Sequence, residues 1–303
     1  MLWAIFIAVI GITLVIDLGV FHRKSHVVKL KEALAWTAIW VSLALVFAIL
    51  VRLWMGPVKS LEFLTGYVIE ESLSVDNLFV FLVIFSYFRV PRHLEHTILF
   101  WGIIGVLIMR GIFITLGVAL IHQFHWIIYF FGAVLIFTAV KLAFEKEREI
   151  HPEKNPVLKL FRYFMPVTHE YEDAKFFVRR AGRLYATPLF IVLLVVESTD
   201  VIFAVDSVPA VLAITHDPFI VYTSNVFAIL GLRSLFFALS GIMGLFHHLH
   251  YGLAFILAFV GAKMLIADLY KIPVGYALLV VAVTLLLSII ASVIWPQEKR
   301  KEA

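Results

Sequence analysis

The chain has 303 residues, of which 62% are hydrophobic and only 15% are charged, and its formal net charge is +4. Soluble domains carry about 25% charged residues, so this composition excludes a soluble globular protein and predicts a chain dissolved in a lipid bilayer. The sequence contains no cysteine, which excludes disulfides, thiolate metal sites and thiol catalysis. No nucleic-acid partner is expected.

Apolar windows of about 20 residues, the length that crosses a bilayer, predict an all-α polytopic fold with nine transmembrane helices. The first window has no basic segment before it and no cleavage signal, and Asp17 interrupts it near its end, so we expect a retained span. The predicted spans are residues 2–21, 33–55, 61–88, 96–121, 125–144, 185–214, 219–246, 251–270 and 273–295.

Between the fifth and sixth spans, a hydrophilic segment at 145–184 mixes nine Lys and Arg with seven Asp and Glu. An N-out, C-in orientation places eighteen basic residues on the cytoplasmic side and leaves only Arg52, Lys59 and Lys271 on the other. The positive-inside rule therefore favours this orientation. Segment 145–184 is then a cytoplasmic charged linker.

Short strings recur in spans three to five and six to eight. SVDNL at 74–78 resembles AVDSV at 204–208, and FTAVKL at 137–142 resembles FVGAKM at 259–264, with a chance match of apolar strings as the alternative. Three spans per unit is an odd number, so the second unit enters the membrane from the opposite side, as in the inverted repeats of secondary transporters. The predicted organisation is two N-terminal helices (1–60), a first three-helix repeat (61–144), the linker (145–184), a second, inverted repeat (185–270) and a final helix with a cytoplasmic tail (271–303).

Carboxylates inside two predicted spans are the main functional signal. An ionisable residue at the bilayer centre costs roughly 2.5–3.5 kcal/mol even on the lenient insertion scale, so function is the default interpretation. Structural pairing with the intramembrane bases is the alternative, but six acids against four bases leave two negative charges, which a divalent cation or two protons would neutralise. The acids are Glu70, Glu71, Asp76, Glu197, Asp200 and Asp206, and the bases are Arg110, Lys141, Arg233 and Lys263.

Helical geometry does not bring all the acids of span six to one point. Glu197 and Asp200 share a helix face, whereas Asp206 lies about 120° from Asp200. Proline tends to kink a helix and to free the carbonyl four residues earlier. We therefore expect a helix break at Pro209 that turns Asp206 and Ser207 towards a shared site.

The ligands available to a cation are carboxylates, the Asn77 amide, the Ser207 hydroxyl and backbone carbonyls. Such hard oxygen ligands suit Mg²⁺, Ca²⁺ or Mn²⁺ better than Cu⁺ or Zn²⁺. Arg110 and Arg233 need carboxylate partners at mid-span. We expect both to hold the site together before metal binds, with Lys263 as a further charge partner.

Three long strings resemble hallmark strings of the TerC family of membrane proteins, most closely those of its Alx branch. The resemblance implies a nine-span protein of the bacterial inner membrane that exports Mn²⁺, with links to tellurite resistance and, in Alx, to alkaline induction. The strings are GYVIEESLSVDNLFVFLVIFSYF at 66–88, ATPLFIVLLVVESTDVIFAVDSVPA at 186–210 and DPFIVYTSNVFAILGLRSLFF at 217–237.

The resemblance also implies site residues. Glu71 departs from the pattern of the Alx branch, where a basic residue is expected, and is therefore left out of the site. The family's acidic site falls on Glu70, Asp76, Glu197, Asp200 and Asp206, with Asn77 and Ser207 adjacent.

The function that these observations favour is export of Mn²⁺ by alternating access, with proton exchange and without a prosthetic group. No enzymatic activity is expected, since a membrane enzyme with metal-activated water would lack any recognisable nucleophile or cofactor motif. The alternative is a membrane scaffold or stress-response protein that transports nothing, whose acids are structural and whose linker binds partners.

Overall fold

The computed structural model describes residues 30–124, 126–144, 155–168, 170–180, 182–242 and 249–294, together with residues 3, 6–8, 10 and 11. The side chains of residues 76, 79, 122, 241, 242 and 249 lie outside this description. Most of the first predicted span is therefore not described, and the Asp76 side chain is not described either.

The described residues from 30 to 294 form nine helices and one β-hairpin. Eight of the helices correspond to predicted spans two to nine, and the ninth lies in the linker with the hairpin. In chain order they are α1 (Leu30–Met55), α2 (Pro57–Tyr87), α3 (Arg92–Gln123), α4 (Ile127–Phe144), α5 (Pro156–Phe164), β1 (Phe177–Arg180), β2 (Arg183–Ala186), α6 (Pro188–Leu212), α7 (Pro218–Ile242), α8 (Leu249–Leu265) and α9 (Val274–Ile294).

Proline sets the start of several helices. The first residues of α2, α5, α6 and α7 are Pro57, Pro156, Pro188 and Pro218. Proline suits the first helical position because its missing N–H has no partner there and its fixed φ already matches the helix. Local sequence thus fixes where four of the described helices begin.

Six helices in the described chain are long and apolar enough to cross a membrane, namely α1, α3, α4, α6, α7 and α9. Two other helices fall outside this group. The apolar helix α8 is shorter, and α2 contains three acids, Glu70, Glu71 and Asp76. The apolar window of α7 is 89% buried, against 22% in α9, so α7 lies at the centre of the bundle and α9 at its edge. The chain is thus a multi-pass membrane protein, while the total of nine spans and the orientation stay predictions.

The main contacts between helices join the first proposed repeat to the second. Helix α4 packs most extensively on α8, while α2 packs on α7 and α3 packs on α6. The α4–α8 crossing is close because glycines meet there: a Cβ added to Gly261 would lie 2.8 Å from the Gly132 carbonyl oxygen. A two-fold relation between α2–α4 and α6–α8 would produce this pairing, and the inversion itself stays a prediction.

The linker is more structured than its hydrophilic composition predicts. Strands β1 and β2 pair antiparallel around a turn in which Gly182 has a positive φ of 78°, a conformation that favours glycine. The Tyr171 hydroxyl donates a hydrogen bond of 2.9 Å to the Phe88 carbonyl, at the end of α2. The linker therefore packs against one end of the helical bundle.

At the opposite end, loops enclose a cavity of about 670 Å³, here called the loop cavity. Its lining comes from the start of α2, from residues 213–218 and from residues 263–274. The Lys59 ammonium lies 2.8 Å from a Glu62 carboxylate oxygen and 3.4 Å from one of Asp217. The loops that the predicted orientation puts outside thus gather at one end of the molecule.

Candidate functional site

A buried guanidinium lies at the centre of the bundle. Arg110 of α3 donates from Nη1 to Glu70 Oε1 of α2 and, over 2.8 Å, to Asn225 Oδ1 of α7. Its Nε lies 3.8 Å from Asp200 Oδ2 of α6. These four side chains are at most 4% exposed, so one polar network joins four helices inside the apolar core.

Asn225 was not among the predicted site residues. Its side-chain nitrogen donates to the Val221 carbonyl over 3.0 Å, which fixes Oδ1 towards Arg110. The polar run from Thr223 to Asn225 inside an otherwise apolar span was the available sequence signal. Helical periodicity alone could not show that this amide faces Arg110.

Besides Glu71, several residues of α2 and α6 have a buried side-chain oxygen with no hydrogen-bond partner within the described part of the chain. Burying a polar group without a partner is costly, and burying an unpaired charge costs much more. Such oxygens are suited to accept a proton or to coordinate a cation. They are Glu70 Oε2, Ser74 Oγ, Glu197 Oε1, Asp200 Oδ2 and Ser207 Oγ.

Glycine makes room for one of these carboxylates. A Cβ added to Gly105 of α3 would overlap the Glu197 carboxylate, whereas one added to Gly102 would stay 3.9 Å from Glu197 Oε1. Gly105 precedes Arg110 by five residues, which is about 7.5 Å along a helix axis. The absence of a side chain at Gly105 thus lets the Glu197 carboxylate pack directly against α3, one turn of α6 before Asp200.

The face of α6 towards α3 carries three of the predicted site residues. At about 100° per residue, Glu197, Asp200 and Ser207 fall within about 80° of one another. Asp206 lies on the other side of the helix, where it accepts a hydrogen bond of 2.7 Å from the Thr138 hydroxyl of α4. The structure therefore groups Glu197, Asp200 and Ser207 and separates Asp206 from them.

The break expected at Pro209 is not seen, and that prediction is corrected. Helix α6 runs without interruption from Pro188 to Leu212, with Pro209 inside it. The Ala213 amide donates to the Pro209 carbonyl over 2.9 Å, so the last turn is still closed. Because Pro209 lies only three residues from the helix end, the missing N–H falls in the last turn and does not redirect Asp206.

The other predicted residues of the site occupy separate places. Asn77 is buried in α2, next to Asp76, whose side chain is not described. Arg233 Nη1 lies 3.3 Å from His96 Nε2, and the Lys263 ammonium donates to the Ala213 carbonyl over 2.6 Å beside the loop cavity. Among the predicted charge partners, Arg110 is therefore the one that contacts Glu70 and Asp200 in the structure.

Glu71 faces a different part of the bundle from Glu70. It lines a largely apolar cavity of about 360 Å³ between α1, α2, α7 and α9, together with Tyr67 and Leu239. A Cβ added to Gly231 of α7 would lie 3.8 Å from Glu71 Oε1. This placement agrees with leaving Glu71 out of the acidic site.

The carboxylate oxygens of this site are ligands that suit a hard divalent cation, and the Arg110 guanidinium lies among them. Three carboxylates, Glu70, Glu197 and Asp200, accompany one guanidinium, so two formal negative charges remain in this part of the described chain. Among the described residues, no three acids or histidines are already arranged around one point as metal ligands. In this conformation, Arg110 lies where it neutralises Glu70 and Asp200.

Comparison with known proteins gives relatives that span most of the chain. Residues 55–302 match the family described as "Integral membrane protein TerC family". A Myxococcus xanthus protein named "Uncharacterized membrane protein STKORF319" is 53% identical over 293 residues, which cover 97% of this chain and 92% of that protein.

Two further relatives have lower identity over similar lengths. The "Putative membrane-bound redox modulator Alx" of Escherichia coli K12 is 47% identical over 292 residues, which cover 93% of this chain and 90% of that protein. A Rickettsia bellii "Uncharacterized membrane protein" is 42% identical over 97% of both chains. No solved structure matches this chain.

Proposed function

Because this chain belongs to the TerC family of integral membrane proteins, we propose that it exports a divalent cation, Mn²⁺, across the bacterial inner membrane. The observation that carries the proposal is the excess of buried carboxylates over bases around Arg110. Intramembrane ionisable residues mark ion pathways by default, since each is costly to keep in lipid. Hard oxygen ligands suit Mn²⁺, Mg²⁺ and Ca²⁺, and the choice of Mn²⁺ rests on the family resemblance.

In the proposed pathway, the cation moves along the inward face of α6. Glu197 lies towards the linker end of that helix, Asp200 follows one turn later, and Ser207 lies towards the loop cavity. Incoming Mn²⁺ takes the carboxylates of Glu70 and Asp200 from Arg110. The guanidinium thus neutralises the acids when no metal is bound, which avoids the cost of unpaired buried charge.

Proton exchange follows from the same ligands. A carboxylate binds either a proton or a metal ion, so metal affinity falls as the ligands become protonated. Protons arriving through the loop cavity would displace Mn²⁺ from Glu70, Glu197 and Asp200 towards that side. The repeats would then rock to return the protonated site to the cytoplasm, as in other inverted-repeat transporters.

The test is Mn²⁺ flux into or out of proteoliposomes that contain the purified protein. We expect Asp200→Asn to lower the flux roughly tenfold or more, since loss of one residue that supports a metal site typically costs about 10–100-fold. Asp76→Asn and Asp206→Asn test the two other predicted acids, and Glu170→Gln, in the exposed linker, is the matched control. If Asp200→Asn leaves the Mn²⁺ flux unchanged, the assignment of the metal site to Asp200 and its neighbours is wrong.

A scaffold function is favoured by one observation, since the Arg110 network holds α2, α3, α6 and α7 together and the linker packs on the bundle. In that case, replacing residues 155–180 by a neutral spacer abolishes function in cells while the purified protein binds no Mn²⁺. The Escherichia coli K12 relative is named as a redox modulator. For this chain a thiol route is excluded, because none of its 303 residues is cysteine.

A further inference from the structure

The linker helix α5 lies along the first turns of the membrane span α6. At its start, the Asn155 side-chain nitrogen donates to Ser198 Oγ over 2.7 Å, and towards its end the Phe161 ring lies 5.1 Å from that of Phe190. Ser198 is ten residues past the start of α6, about 15 Å along the helix axis. Helix α5 therefore runs antiparallel to α6, beside a segment that is apolar enough to cross the membrane.

Only one side of α5 packs on the protein. Leu158 is 2% exposed, and Phe161 packs on α6, whereas Leu160, Tyr163 and Phe164 are 62%, 85% and 73% exposed. At about 100° per residue, Leu160 and Phe164 lie about 40° apart and Tyr163 lies next to them. A continuous apolar strip of this kind marks an interaction surface and does not suit water.

Basic residues occupy the remaining side of α5. Lys159 and Arg162 are exposed, lie about 60° apart on the helix, and are the only charged residues of Pro156–Phe164. The nearby hairpin adds Arg179 and Arg183, both exposed. Large apolar side chains beside Lys and Arg suit a helix at the boundary between lipid and water, where long basic side chains reach back to the headgroups.

We propose that α5, alongside the first turns of α6, binds anionic phospholipids of the leaflet on the linker side. Leu160 and Phe164 enter the acyl region, and Lys159 and Arg162 contact the anionic headgroups. Since Asn155 caps α5 and also binds Ser198, the lipid-bound helix is attached to α6 next to Glu197 and Asp200. This proposal does not depend on which ion the chain transports.

The chain contains no cysteine, so single cysteines can be spin-labelled without a cysteine-free background variant. In proteoliposomes, we expect labels at Leu160→Cys and Phe164→Cys to be relaxed by oxygen, which concentrates in the acyl region. The matched control label at Ala174→Cys, in the exposed linker, is relaxed by a water-soluble nickel complex. Labels at 160 and 164 that are as accessible to nickel as the one at 174 would overturn the proposal.

The contact of the basic residues with anionic headgroups is tested by the association of spin-labelled phosphatidylglycerol and phosphatidylcholine with the reconstituted protein. Lys159→Gln and Arg162→Gln should each lower the preference for phosphatidylglycerol about fivefold, the factor expected for one basic residue near an anionic surface. Lys271→Gln, at the other end of the molecule, is the control and leaves the preference unchanged. Lipid binding is contradicted if the Lys159→Gln, Arg162→Gln double variant keeps the preference for phosphatidylglycerol. It is also contradicted if the labels at 160 and 164 are protected from the nickel complex only in native membranes, which would indicate a protein partner.

Discussion

At the scale of single residues, Arg110 connects acids from both halves of the chain. The offset of 130 residues that aligns SVDNL at 74–78 with AVDSV at 204–208 also aligns Glu70 with Asp200. Both of these carboxylates form ion pairs with Arg110. One guanidinium thus joins two positions that the proposed repeat relates, at the place where an inverted-repeat transporter has its substrate site.

Replacing Arg110 by glutamine tests whether the guanidinium stands in for a cation. Without metal, Arg110→Gln leaves the Glu70 and Asp200 carboxylates without a base, and we expect a loss of about 3–5 kcal/mol in unfolding free energy. Adding Mn²⁺ should restore part of that loss in the variant and change the wild type less. The measurement is thermal unfolding in detergent with and without Mn²⁺.

Arg52→Gln is the control for this substitution, because Arg52 is exposed at the end of α1. It should unfold like the wild type at every Mn²⁺ concentration. If Arg110→Gln is destabilised and Mn²⁺ gives no recovery, the guanidinium is a structural partner of the acids and the metal site lies elsewhere.

Gly105 provides a second test at this scale. Gly105→Ala should push the Glu197 carboxylate off α3, because the added Cβ overlaps the flexible end of that side chain. We expect Mn²⁺ flux to fall roughly tenfold, as for a displaced metal-site residue, with little change in stability. Gly102→Ala, whose Cβ would make only ordinary contacts of 3.8 Å or more, should transport normally, and equal flux in both variants would show that Glu197 is not on the path.

At the scale of elements, the crossing of α4 and α8 depends on two glycines. A Cβ on Gly261 would meet the backbone carbonyl of Gly132 at 2.8 Å and the side chain of Ile136 at 2.9 Å. Neither helix can yield without moving its backbone, because the Gly132 carbonyl belongs to the main chain. This crossing therefore sets how closely the third helices of the two proposed repeats approach.

Gly261→Ala should consequently lower the unfolding free energy by about 1–3 kcal/mol, the usual cost of overpacking. Gly275→Ala is the matched control, since nothing lies within 4 Å of its added Cβ and alanine favours a helix. Unfolding by SDS in mixed micelles measures both variants. Equal midpoints for the two would mean that α4 and α8 separate more easily than the contact indicates.

At the scale of the whole molecule, the linker and the loop cavity lie at opposite ends of the bundle. The predicted orientation assigns the linker to the cytoplasm and the loop cavity to the outside. Lys271→Cys should therefore react with a membrane-impermeant maleimide in intact cells, because Lys271 lines the loop cavity. Ala174→Cys, in the linker, should react only after the membrane is made permeable, and the reverse pattern would invert the proposed direction of transport.

The class of protein, eight of the helices and the family were predictable from the amino-acid sequence. These properties follow from composition, from apolar windows of span length and from local strings, all of which are read along the chain. The acids Glu70, Glu197 and Asp200 were also identified this way, because charge inside an apolar window is conspicuous without any knowledge of packing.

Which of these residues contact one another depends on the packing of the helices. Arg110 binds Glu70, which is 40 residues away, and Asn225, which is 115 residues away. Helical periodicity gives the face on which a side chain lies but not the helix that this face contacts. For this reason, the contact of Asn225 with Arg110, the space at Gly105 and the partner of Asp206 on α4 came from the packing of distant segments. The helix continues through Pro209 for a local reason, because the proline lies in its last turn.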